Sequence, residues 1–126
     1  RMNHSVDAQT WDQYVSFYTE DGVLDSGIGG VAEGRQGIRE LLEMMAPYIS
    51  TKRHVASNIV INGEGDSATA VSYLTIFERE EALRIDGTAV ITDEFERQPD
   101  GTWLVVRHTT VVDPATAAAN NPGGAE

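Results

Sequence analysis

The spacing of apolar residues divides the chain into a helical front and a stranded rear. Trp11, Tyr14, Val15 and Tyr18 recur at helical intervals, which predicts a short amphipathic helix over 8–18. Glu20-Asp21-Gly22 breaks that pattern, Val23-Leu24-Asp25 reads as a short strand, and Gly27, Gly29 and Gly30 make a flexible turn. A second helix is predicted over 35–45, with Ile38, Leu41, Leu42 and Met45 on its apolar face and Pro47 marking its end. From Lys52 the period shortens to that of strands. Four are predicted, over 54–62, 67–78, 85–97 and 102–112. Turns at Gly63-Glu64-Gly65-Asp66 and Pro99-Asp100-Gly101 join two of the pairs, and a charged connection around Glu80-Glu81 joins the middle one. The expected domain is 1–113. The segment 114–126, rich in Ala, Asn, Gly and Pro, is expected to be a flexible tail or a cover over a pocket mouth.

Helices first and four long antiparallel strands afterwards define an α+β fold rather than α/β. A strongly curved sheet wrapped on helices leaves a space, and such spaces are common small-molecule sites. A length of 126 residues suits one domain, and 40% apolar residues supply a core. The chain has no cysteine, which excludes disulfides, thiolate nucleophiles and thiolate zinc sites. Its 20 acidic against 9 basic residues give a net charge of -11. That charge repels nucleic acid and anionic membrane surfaces, and otherwise serves solubility. No apolar run approaches the ~20 residues of a membrane span, and no signal-peptide pattern is present, so the expected location is the cytoplasm. Three widely spaced histidines offer no metal-ligand spacing, and no cofactor is implied.

Three polar residues stand out as candidate chemistry: Asp7, ahead of the first clear helix; His54, opening the first long strand; and Arg107, in the middle of an apolar strand, where an inward side chain needs an acceptor. Strict alternation puts Trp103, Val105, Arg107, Thr109 and Val111 on one face and His108 on the other. It does not say which face looks inward. Each residue also has a plainer reading. Asp7 is of the type that caps a following helix, His54 stands where surface histidines begin strands, and Arg107 could pair with Asp93 or Glu94. Asp25 and Asp93 are further carboxylate candidates. Tyr14, Tyr18, Trp11, Tyr73 and Asn58 are expected to supply pocket lining.

The ordered set "FYTEDGVLD", "AEGRQGIRELL", "RHVASNIVI", "GDSATAVSYL" and "TDEFERQPDGTWLVVR" resembles SnoaL-like proteins of the nuclear-transport-factor-like superfamily. The resemblance runs from about Val6 to Asp113. It implies a cone-shaped, curved sheet, mostly antiparallel, wrapped on helices around an apolar pocket, in dimers to tetramers. Within the superfamily the chain is most similar to the scytalone dehydratase and hexachlorocyclohexane dehydrochlorinase branch. That branch removes a proton from substrate carbon with a His–Asp pair; "HSVDAQTW" puts Asp7, and "RHVASNIVI" puts His54 and Asn58, at the matching places. Arg107, four residues after Trp103, matches the branch's pocket arginine. One departure is Met2, standing where the dehydrochlorinase has a lysine that helps the leaving group, and fewer residues precede Asp7 than in those relatives.

The resemblance implies a cofactor-free lyase or isomerase acting on a small hydrophobic molecule. A free imidazole titrates near ~6.5, so it can accept a proton at neutral pH. A carboxylate on its other nitrogen fixes the tautomer and stabilises the imidazolium that forms. His54 would be the base, Asp7 its partner, and Arg107 the group that meets a substrate oxygen or leaving group. A polyketide-cyclase-like aldol reaction needs similar equipment. A non-catalytic module that binds small ligands or dimerises is the alternative of another class.

Overall fold

The structure, a computed structural model, describes residues 1–120. Two short helices open the chain, α1 (Met2–Asp7) and α2 (Trp11–Ser16). Strand β1 (Tyr18–Asp25), a 3₁₀ turn (Gly27–Gly29), strand β2 (Val31–Glu33) and helix α3 (Gly34–Ile49) follow. Four long strands complete the sheet: β3 (Lys52–Glu64), β4 (Ser67–Glu78), β5 (Arg84–Arg97) and β6 (Trp103–Val112). Its order is β2-β1-β6-β5-β4-β3, antiparallel except where β1 runs parallel to β6.

The expected helix over 8–18 is corrected to α2 alone, and α1 ahead of it is not predicted by the spacing. Gln9 takes a left-handed conformation (φ 56) between them, and its side-chain amide donates to the Ala46 carbonyl at 3.3 Å. Tyr18 already belongs to β1. The break turns α1 back toward β3 and leaves Asp7 at its last position. Helix α3 extends past the expected end, with Pro47 inside its final turn. The tail expected from residue 114 instead begins as helix α4 (Pro114–Asn120). Proline is pre-set for a first helical turn, and the alanines that follow favour helix. Thr116 anchors it: its hydroxyl accepts the Thr88 N–H at 2.8 Å and its methyl covers Gly87, where a Cβ would stand only 2.8 Å away. The rest of the expected tail, 121–126, lies outside the described residues.

Ile38, Leu41 and Leu42 of α3 pack with Tyr14, Tyr18, Leu24 and Val105 into the main core. A second cluster, Leu74, Ala89 and Ile91, lies on β4 and β5. At the far end of β4, buried Glu78 ties three strands together. It accepts hydrogen bonds from Thr51 Oγ1 (2.7 Å), Lys52 Nζ (2.8 Å) and the Glu80 and Glu81 amides (3.0 and 3.1 Å). Lys52 also reaches Asp86 on β5. The Lys52 ammonium, with these amides and the Thr51 hydroxyl, holds Glu78 well below the usual carboxylate range. Among the described residues no helix is long and apolar enough to cross a membrane.

Candidate active site

The concave face of the sheet and helices α1–α3 enclose a cavity of about 450 Å³, within the range of small-molecule sites. Its walls are mostly apolar, with Val6, Leu42, Met45, Leu74, Ile91 and Phe95 among them. A polar pair stands at each of two places in this wall.

The first pair is Asp7 and His54. Strand β3 lies at an edge of the sheet, so its alternate amides have no partner strand. The Asp7 carboxylate fills that gap, accepting the His54 backbone N–H at 3.2 Å through both oxygens. Oδ1 also lies 2.8 Å from His54 Nδ1. An ionised carboxylate only accepts, so Nδ1 carries the hydrogen and Nε2 is left as the basic atom. Both side chains are largely shielded, at 13% and 20% exposure. The N-cap position of the helix that follows is Thr10, without a side-chain capping bond, so Asp7 does not hold the capping place.

The second pair was not expected. Glu94 pairs with Arg107 and Phe95 with Val105, so Val106 is an extra residue on β6. This bulge shifts the alternation by one position. Trp103 and Val105 face the cavity before it; His108 and Thr110 face it after. Arg107 is thereby corrected to the outer face, half-exposed, with its guanidinium in an ion pair with Asp25 at 3.8 Å rather than with Asp93 or with its cross-strand neighbour Glu94. His108 takes the inward place, and its Nδ1 is hydrogen-bonded to Oδ1 of Asp93 on β5. Both side chains are 15% exposed and both line the cavity.

Of the expected lining residues, Tyr14 reaches the cavity. Tyr18 is fully buried behind it, the two hydroxyls 2.8 Å apart. Burial pushes both phenols well above their usual range, and the charge of Asp93 adds to the effect. Trp11 packs against the main core instead. Tyr73 points to the outer face, 54% exposed, because the inward positions of β4 are Ser72 and Leu74. Asn58 sits in an exposed bulge of β3 with φ 52, a conformation asparagine tolerates better than most residues. Met2, at the place of the relatives' lysine, does line the cavity. Among the described residues no group of three or more His, Asp or Glu is arranged to hold a metal ion.

An α+β roll whose mixed sheet closes with three helices over a cavity defines the cystatin-like, nuclear-transport-factor-like class. Solved structures place the chain there. A cystatin-like-fold protein from Nostoc punctiforme is 32% identical, with a TM-score of 0.84 over 91% of this chain and 85% of its own. A nuclear-transport-factor-2-like protein of cystatin-like fold from Novosphingobium aromaticivorans is 23% identical, with a TM-score of 0.81 over 95% and 80%. ActVI-ORFA from Streptomyces coelicolor is also 23% identical, with a TM-score of 0.80 over 89% of each chain. No curated protein matches the chain. The SnoaL-like domain model matches residues 1–109, and the chain belongs to that family.

Proposed function

We propose that the protein is a lyase or isomerase that works without a cofactor, with His54 as the base that removes a proton from a carbon of a small hydrophobic substrate. The observation that carries this reading is the 2.8 Å contact between Asp7 and His54 Nδ1 at the rim of an apolar cavity. Asp7 fixes the ring through two separate atoms of His54, so the imidazole is oriented before any substrate arrives. As Nε2 takes the proton, Asp7 stabilises the imidazolium, and the low polarity of the walls strengthens that attraction. General base catalysis of this kind supplies roughly 10²–10⁴-fold. Elimination, a double-bond shift and an aldol closure all begin with this proton transfer.

The test uses 5-nitrobenzisoxazole, a flat apolar compound that opens when a base takes the C–H proton of its isoxazole ring. The electron pair forms the nitrile, the N–O bond breaks, and a coloured phenolate leaves. A saturable rate above buffer is expected, falling to background in His54→Ala. A wild-type rate equal to buffer, or a His54→Ala rate equal to wild type, would remove His54 as the base.

A further inference from the structure

With Arg107 on the outer face, the oxygen-binding place it was expected to fill needs another occupant. His108 and Asp93 line the same cavity as His54 and have no part in the proton transfer assigned above. The two histidines are well separated on the sheet. His108 pairs through Asp93 to Ala70 on β4, whereas His54 pairs with Ile76, six residues further along that strand. Strands β3 and β6 are three positions apart in the sheet. At ~4.8 Å between strands and ~3.3 Å per residue, the path over the sheet is about 14 Å across and 20 Å along. Curvature around the common cavity shortens it through space. Apolar side chains, Leu74, Ile76 and Ile91 among them, lie between.

We propose that His108, held by Asp93, is the second polar pole of the pocket, and that the protein selects a neutral, apolar ring compound with an oxygen group at each end. The proposal rests on the reading of His54 as the reacting end. His108 Nε2 is the atom of the pair not used by Asp93, and it meets the distal oxygen, accepting from a hydroxyl or, when protonated, donating to a carbonyl. Tyr14, whose phenol lies within the field of Asp93, lines the cavity as well. In a conjugated ring, the electron pair left when His54 takes a C–H proton moves through the π system onto a remote carbonyl oxygen. A donor at that remote place then holds the enolate charge. Asp93 is the carboxylate among the lining residues and Arg1 also lines the cavity, while burying a ligand's charge against a mainly apolar wall is costly, which makes the compound neutral.

The test measures binding and needs no turnover. The probes are 4-hydroxybiphenyl, 4,4′-dihydroxybiphenyl and 4′-hydroxybiphenyl-4-carboxylate, titrated into the full chain. NMR of the imidazole nitrogens reads which ring each probe meets. The diol is expected to bind about fivefold to tenfold more tightly than 4-hydroxybiphenyl, the worth of one added net hydrogen bond. His54 and His108 should shift together in one event, and the carboxylate should bind most weakly. His108→Leu should erase the gain from the second hydroxyl while leaving 4-hydroxybiphenyl bound. If no probe binds, if the diol shifts only His54, or if His108→Leu retains the full gain, the second pole is wrong. A chain that binds the diol through both rings yet leaves 5-nitrobenzisoxazole at the buffer rate would lose the base and keep the pole. A chain that opens 5-nitrobenzisoxazole through His54 without meeting the diol at His108 would do the reverse.

Discussion

Replacing Asp7 by asparagine changes one oxygen into an amide nitrogen and removes one charge. The carboxylate now faces two donors, the His54 amide and Nδ1–H. Asparagine can accept from one of them, while its own N–H₂ confronts the other. If the amide nitrogen turns to the ring it donates to Nδ1 and drives the hydrogen onto Nε2, where the base should be. The lost charge sets the scale. Two unit charges ~4 Å apart attract by about 1 kcal/mol in bulk water and about 4 kcal/mol at an effective dielectric of about 20. The pair is largely shielded, so a value of about 2–3 kcal/mol is appropriate. At 1.4 kcal/mol per decade this lowers kcat/KM for 5-nitrobenzisoxazole by roughly 30- to 150-fold. The assay compares Asp7→Asn with wild type and checks by thermal melting that the variant is folded. A folded Asp7→Asn protein within twofold of the wild-type rate would refute the coupling between carboxylate and imidazole.

Three further outcomes follow from the same structure. Arg107→Ala, on the outer face, should change that rate by less than about twofold; a fall of tenfold or more would mean that the guanidinium acts in the pocket. Ile38, with no exposed surface, is the centre of the main core, and Ile38→Ala should cost about 2–5 kcal/mol in urea unfolding, a loss under 1 kcal/mol contradicting the packing. Glu78, lowered from its ordinary value of 4.5 first by Lys52 and then by the Glu81 amide, contributes stability that is fully present above that value. It is lost as the pH falls through the lower folded value. Glu78→Gln should therefore lower the melting temperature at pH 7, with the gap to wild type closing in acid; a gap that stays constant with pH would exclude the charged network.

The sequence makes the sheet legible because four long runs rich in Val, Ile and Thr are separated by turn or charged segments. Asp7 and His54 were legible through resemblance rather than through periodicity. Neither is distinguished by its local pattern, and the hydrogen bond between them joins positions 47 apart in the chain. Alternation groups Arg107 with Trp103 and Val105 and sets His108 opposite them, and the structure reverses both placements for one reason. Val105-Val106-Arg107-His108 reads as unbroken strand, and nothing in two adjacent valines marks an inserted residue. Counting back from the Pro99-Asp100-Gly101 turn, which pairs Arg97 with Trp103, puts Asp93 opposite Arg107, and only the extra residue at 106 brings His108 there; the sequence carried no signal for the pair. The break at Gln9 was hidden similarly, since the helical spacing begins only at Trp11 and nothing at position 9 marks a left-handed residue.

Both polar poles therefore depend on departures from regular structure. The left-handed residue at position 9 lets α1 end at Asp7 against the edge of β3; a continuous helix through Tyr18 would carry that carboxylate along another axis. The extra residue at position 106 exchanges a guanidinium for an imidazole on the concave face. The difference matters chemically. An arginine there would be a permanent cation with no lone pair, able to bind an oxygen but unable to accept or release a proton at neutral pH. An imidazole beside Asp93 can do either. Regular alternation builds the apolar walls, and the two irregular positions put groups with exchangeable protons into a hydrophobic interior.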